Sequence, residues 1–266
     1  MVEFVACPWD ALWNYNWKGK LLAPYAFIKN RHVIKNSDYV VYVTNKFLQN
    51  RYPTHGRSVN LSNVEIESVE EKILKSRLGR YSEPLTQITI GTAANVDVPY
   101  KGHETVIRAL HLIKRKIEDL NFVYRVVGSG DASYIKRVIT KYQMDDSVLL
   151  EGALKHADMN RFFDSIDLYI QPSKQEGLPR AVIEAMSRGL PVLGSRAGGI
   201  PELIEPQYIF EKGDYYGLAD LLLKTDNQML SSMAERNFNE AKNYYADAIN
   251  ARRMKFYDEF LKSIRS

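Results

Sequence analysis

Two glutamates eight residues apart, Glu176 and Glu184, stand in the stretch QEGLPRAVIEAMSRGLPVL, the first against Gly177-Leu178-Pro179 and the second inside an apolar pattern of helical period. Pro179 suits the first position of a helix, where its missing N–H forfeits no partner, and Gly189 with Pro191 stops that helix after about three turns. Glu176 then lies on the loop before the helix, and Glu184 sits roughly 8 Å beyond the helix start at ~1.5 Å per residue. Carboxylates so spaced do not converge on one reacting atom; they suit the two ends of an elongated ligand. The N–H groups of residues 177–180 and the positive end of the helix dipole favour an anion between them, such as a diphosphate. Either glutamate alone is explained as well by a surface ion pair or a solvated helix face; only the whole constellation points to a ligand.

The elements that must hold this constellation follow from residue 86 onward. Apolar, β-branched runs at 87–93, 122–128, 147–152, 167–173, 191–195 and 208–211 read as strands. Val106, Leu110, Ile113 and Ile117 keep helical spacing between the first two, as do Ile135, Val138 and Ile139 after the second. Strands alternating with helices, with little polar alternation inside the strands, predict a parallel sheet covered on both faces. Ligands of such sheets bind where loops leave the carboxyl ends of the strands, and Glu176 follows the fourth predicted strand.

Residues 1–85 form a separate piece. VEFVA (2–6) and YVVYV (39–43) read as strands with helical stretches after each, and 63–84 is charged and ends in proline, as a linker would. These units are too few for a complete doubly wound domain. Residues 226–265 are helical in composition, with Phe238, Tyr245, Ile249, Phe256 and Phe260 as an apolar stripe.

Bulk properties exclude several classes. The composition, 45% hydrophobic and 26% charged, is that of a globular chain. Cys7 is the single cysteine, which rules out an intrachain disulfide and fits a reducing cytoplasm. No apolar run reaches the roughly 18 residues of a membrane-spanning helix, and no signal peptide follows Met1. Residues 1–60 carry eight Lys or Arg against Glu3, Asp10 and Asp38, while the remaining 206 residues sum to −1, so no nucleic-acid partner is implied. The five histidines show no ligand spacing with acids or with Cys7, and no metal site is expected. Gly128-x-Gly130 after the second strand would begin a dinucleotide fingerprint, but Ser133 stands where the third glycine belongs.

The stretch around Glu176 and Glu184, with Gly177-Leu178-Pro179, EAMSRGLPVL and Gly198-Gly199, resembles the E-x7-E signature of the retaining family-4 glycosyltransferases, also called glycosyl transferases group 1. The resemblance covers residues 86–265 well and the earlier part more loosely; CPWDALWN, KGKLLAPY and YVVYVTNKFLQNRYP are similar to bacterial transferases that build capsular or surface polysaccharides. It implies an α/β, GT-B type fold: a Rossmann-like nucleotide-sugar domain at 86–266, and a partial, acceptor-side α/β domain with linker at 1–85. It implies that Glu184 accepts hydrogen bonds from the ribose of a UDP- or GDP-linked donor and that Glu176 holds hydroxyls of the donor sugar. The close approach to sugar and phosphates then falls to Gly177, Leu178, Pro179, Gly198 and Gly199, with Gly91, Thr92 and Gly130 on the neighbouring loops and Ala153 and Leu154 beside the nucleobase. Lys101-Gly102 matches the family's diphosphate-binding lysine, but its arginine is absent: Thr92 or Ala93 occupies the place. The leaving charge then depends on Lys101, loop amides and the helix dipole.

The implied reaction is sugar transfer with retention, without metal or cofactor, to a glycan or lipid-linked acceptor, at the cytoplasmic side and peripherally at the membrane. Family members have two domains of similar size, so a partner chain or oligomer that completes the N-terminal domain is expected, or else a binding subunit inactive by itself. Trp9, Trp13 and Trp17 fall at i, i+4 and i+8, and on one helix they would line a face. Residues 9–22 thus read either as an interfacial membrane contact or, the favoured alternative, as a packing face, since Asn14 and Asn16 weaken the basic side and Pro8 and Pro24 break the segment. A glycosidase fits poorly, because its paired carboxylates flank one bond at about 5 to 9.5 Å. An oxidoreductase would rest on Gly128-x-Gly130 alone.

Overall fold

The computed structural model describes residues 1–117 and 121–265. Its first part runs β1 (Val2–Phe4), α1 (Pro8–Trp13), α2 (Trp17–Lys35), β2 (Tyr39–Tyr42), α3 (Phe47–Arg51), β3 (Arg57–Asn60) and α4 (Glu71–Arg80). β1, β2 and β3 make a small parallel sheet in that order. The second part runs β4 (Ile88–Ala93), α5 (His103–Lys114), β5 (Phe122–Val127), α6 (Ser133–Lys141), β6 (Val148–Gly152), α7 (His156–Ser165), β7 (Leu168–Gln171), α8 (Arg180–Ser187), β8 (Val192–Ser195), α9 (Ile200–Leu203), β9 (Ile209–Phe210), α10 (Tyr215–Leu223), α11 (Asn227–Ala241) and α12 (Ala246–Arg265).

All six strands expected after residue 86 form, and they pair in parallel in the order β6-β5-β4-β7-β8-β9. This is the doubly wound order, in which the direction of winding reverses between β4 and β7. The strands read as apolar runs because both faces are covered: Leu168, Tyr169, Ile170, Val192 and Leu193 are all fully buried. α5 contributes Val106, Leu110 and Ile113 to that core, and α6 contributes Ile135, Val138 and Ile139. Ile117, expected in the same stripe as Val106, lies past the end of α5 and is exposed.

Several expectations for the flanks are corrected. The charged stretch 63–84 contains α4, whose buried Arg77 donates to the carbonyls of Ile166 (2.5 Å) and Phe163 (2.8 Å), capping the C-terminal end of α7. The three tryptophans do not share a helix: α1 ends at Trp13, Asn14–Asn16 turn the chain, and the Asn16 side chain caps α2, which begins at Trp17. Pro24 does not break α2 but lies inside it. The apolar stripe of the last forty residues is split, with Phe238 of α11 buried, Ile249 of α12 in the main core and Phe256 of α12 crossing to the small sheet. There Phe256 and Phe260 pack on Tyr39, with ring centroids 5.6 and 5.3 Å away.

Candidate active site

The loops that leave β4 and β7 stand side by side at the switch point, and each delivers one charged side chain. After β4 the chain makes a short turn, Pro99–Lys101, and ends it at Gly102 in the left-handed region (φ +79°), where a side chain would run into the carbonyl of Pro172. After β7 come Pro172, Ser173, Lys174 and Gln175 and then Glu176. Lys101 Nζ lies 2.7 Å from Glu176 Oε1, with side chains only 21% and 12% exposed.

Glu176 is held by more than the lysine. The same Oε1 accepts from Ser173 Oγ at 2.7 Å and from Gln171 Nε2 at 3.1 Å. Gln171 is fixed in turn by Tyr169, whose hydroxyl donates to Gln171 Oε1 at 2.8 Å and accepts from the amide of Ala93 at 3.2 Å. A buried polar chain from β4 through β7 thus aims one carboxylate at the mouth of the sheet. Gln171 and Ser173 carried no sequence signal of their own; Gln171 sits at the end of an apolar strand, and only its pairing inside the sheet marks it.

Glu184 lies in α8, one turn after Arg180, whose Nη1 is 3.7 Å from Glu184 Oε1. Burial raises the Glu184 pKa above the ordinary carboxylate value, against the opposing pull of Arg180 and then His156. Its side chain borders a cleft of about 530 Å³ that Ile66 and Glu67 close on one side and His156 and Met159 on the other. The first-turn amides of α8, from Arg180 to Val182, have no carbonyl one turn back, so the helix start presents donors between the two glutamates.

The glycines draw the loops together. Gly198 is left-handed (φ +53°), and a side chain there would overlap the Glu176 carbonyl. Gly199 donates its N–H to Gly177 O at 2.7 Å. Gly177 faces the Val5 carbonyl of the N-terminal part, and Gly199 the methyl of Thr44. Glu202 of α9 completes this seam: its carboxylate accepts from the backbone N–H of Asn45, of Lys46 (3.0 Å) and of Phe47 (2.6 Å), at the start of α3. In the sequence Glu202 shows only as an acid two residues after Gly199-Ile200.

Lys101, Glu176, Gly177, Leu178, Pro179, Gly198 and Gly199 therefore come together at one end of the sheet, with Glu184 one helix turn further. Gly130 (φ +112°) faces Asp97 on the loop after β4, and Ala153 and Leu154 follow β6 beyond the left-handed Gly152. Two of the candidate positions are packed within the sheet. Gly91 is buried inside β4, where Ile166 and Phe162 occupy the space a side chain would need, and the buried Thr92 hydroxyl donates to Ile170 O at 2.7 Å. Among the described residues no three His, Cys, Asp or Glu side chains gather as metal ligands would, and no helix is long and apolar enough to cross a membrane.

With this doubly wound sheet and pair of loops, residues 87–226 match the glycosyl transferases group 1 family: the chain belongs to it. It is 32% identical over 247 residues to protein CapJ of Staphylococcus aureus, covering 91% of this chain and 59% of CapJ. It is 34% identical over 134 residues to the amylovoran biosynthesis glycosyltransferase AmsK of Erwinia amylovora, covering 47% of this chain and 32% of that protein. The chain thus spans about three-fifths of CapJ and a third of AmsK. Among solved structures, sucrose-phosphate synthase from Thermosynechococcus elongatus superposes with a TM-score of 0.78 at 16% identity, covering 98% of this chain and 67% of that one. Anabaena HepE in complex with UDP-glucose superposes with a TM-score of 0.72 at 17% identity, covering 97% and 72%. The fold is that of the GT-B glycosyltransferases.

Proposed function

We propose that this chain carries the donor half of a retaining glycosyltransferase, which moves a sugar from a UDP- or GDP-sugar to a glycan or lipid-linked acceptor in capsular or surface polysaccharide synthesis. The observation that carries the reading is the Lys101–Glu176 pair at the β4–β7 switch point, with Glu184 one helix turn away on the nucleotide side. HepE, of the same fold, was solved with UDP-glucose, and AmsK is named for a polysaccharide.

In this reading the acceptor hydroxyl attacks the anomeric carbon on the face from which the diphosphate departs. The bond from that carbon to the diphosphate oxygen breaks, the new glycosidic bond forms, and the hydroxyl proton passes to the departing phosphate oxygen. Lys101 and the first-turn amides of α8 stabilise the charge that builds on the diphosphate, preorganised so that little reorganisation is needed as the bond breaks. Glu176, fixed by Gln171 and Ser173, orients the sugar hydroxyls. Glu184 binds the ribose and contributes affinity. Each of these roles uses only side chains and amides of this chain, and no metal is assigned a part.

Calorimetric titration with UDP, GDP and their sugar conjugates tests it. Wild type should saturate with one nucleotide. Glu184→Ala should lose about 10- to 150-fold in affinity, the worth of hydrogen bonds to a charged group. Glu176→Ala should keep nucleotide affinity and lose turnover. Wild-type affinity in Glu184→Ala would refute the assignment. Binding without turnover until a second polypeptide is added would identify a chain that acts with a partner.

A further inference from the structure

The tryptophans find no use in the donor site, yet two of them face the loops that carry Lys101 and Glu176. Trp13 at the end of α1 and Trp17 at the start of α2 line a pocket of about 330 Å³ whose opposite wall is Pro99, Tyr100 and Lys174. That wall is continuous with the reacting groups. Tyr100 precedes Lys101, whose Nζ is 5.6 Å from the Tyr100 ring centroid; Lys174 lies two residues before Glu176 and donates its amide to Tyr100 O at 2.7 Å. The pocket shares no lining residue with the cleft at Glu184, so it lies apart from the nucleoside end of the site.

Its chemistry is that of a sugar-binding surface with a charge preference. Trp9 stacks on Trp13 at 5.3 Å between centroids and is itself wedged against Phe27, which fixes the inner indole. Trp13 and Trp17 remain 43% and 66% exposed, offering broad aromatic faces to the C–H face of a pyranose. The lining includes Lys20, whose Nζ stands 5.8 Å from the Trp13 ring centroid, and Lys174, with no carboxylate between them. From Ala11 to Ser37 the chain has five Lys or Arg and no acid.

We infer that this pocket seats the acceptor, a saccharide ring stacked on Trp13 and Trp17 whose anionic substituent, carboxylate or phosphate, is held by Lys20 and Lys174. The inference rests on the donor-site reading above and names the substrate class for the other side of the reaction. The acceptor hydroxyl then enters past Tyr100, toward the Lys101–Glu176 pair.

All three tryptophans of the chain lie at this corner, so intrinsic fluorescence reports on it directly. Glucuronic acid, glucose 6-phosphate and glucose serve as probes, with nucleotide affinity measured by calorimetry on the same preparation. The charged sugars should change the emission saturably and bind at least about tenfold more tightly than glucose. Of two solvent-facing substitutions, Trp17→Ala should weaken every sugar and Lys20→Gln should abolish the charge preference, and both should leave nucleotide affinity unchanged. A response to glucuronic acid but not glucose 6-phosphate assigns the anion to a sugar acid, and the reverse assigns it to a phosphate. Nucleotide binding without any sugar response, or equal responses to charged and neutral sugars, overturns the acceptor pocket alone. A blue shift with phosphatidylglycerol vesicles and none with sugars overturns it in favour of a membrane surface. Charged-sugar binding without nucleotide binding instead sinks the donor-site reading.

Discussion

Acidification should weaken this fold within a window set by one side chain. His103 begins α5 directly after Lys101 and Gly102 and is buried, with Nε2 3.1 Å from the Asn95 carbonyl and Nδ1 3.0 Å from the Tyr124 hydroxyl. The carbonyl requires a proton on Nε2, so Nδ1 accepts from Tyr124 and the neutral ring is fully satisfied. Burial pushes the pKa down to about 4, assisted by the Lys101 ammonium and opposed by the Asn95 and Ala94 carbonyls. In the unfolded chain the same group titrates near 6.5. As pH falls the unfolded state takes up its proton first, so the stability present above about 6.5 is lost between 6.5 and 4 and falls no further below 4 on this account. A drop from about 6.5 to about 4 corresponds to roughly 3 kcal/mol, a large share of a net stability of ~5–15 kcal/mol. Carboxylates add their own acid sensitivity, so the measurement is a difference. Urea unfolding of wild type and His103→Gln from pH 4.5 to 7.5 should give curves that converge toward acid by about 2 to 3 kcal/mol, the variant having no ring to protonate. Parallel curves would refute the reasoning.

Two further outcomes concern the seam around the site. Gly198→Ala places a methyl against the Glu176 carbonyl at φ +53° and should cost about 1 to 3 kcal/mol in thermal unfolding and weaken donor-sugar binding; an unchanged midpoint would contradict the close approach. Glu202→Ala removes the shared acceptor of three amides, so hydrogen exchange at Lys46 and Phe47 should speed up at least about tenfold while the large sheet stays protected, and unaltered exchange would show that water replaces the carboxylate without cost.

The large sheet and the two glutamates were legible because their signals are local. A short apolar strand stopped by proline declares itself, as LYIQPS does, and Glu176 and Glu184 sit on either side of a helix start spelled Gly-Leu-Pro. What escaped depends on contacts between distant segments. α4 reads as solvated because of its charge, yet Arg77 is buried by its hydrogen bonds to carbonyls nearly ninety residues away. β3, Arg57–Asn60, has one apolar side chain in four and exists through pairing with β2. Pro24 is tolerated within the 19-residue helix α2, where local rules predicted a break. The packing of Gly91 against Ile166 and Phe162, and of Thr92 on the Ile170 carbonyl, likewise joins segments distant in sequence.

The return of α12 to the small sheet sets an order of assembly on the ribosome. Tyr39, Val41 and Leu61 form an apolar face whose cover is Phe256, with Tyr257 and Phe260 beside it. During synthesis that face is made before the β4–β9 sheet and waits through the whole of it until Phe256 of α12 follows. Nascent chains therefore carry that bare face while the β4–β9 sheet is being made, so the small sheet is the piece most in need of a chaperone, and shortening α12 would extend that exposure to the folded chain.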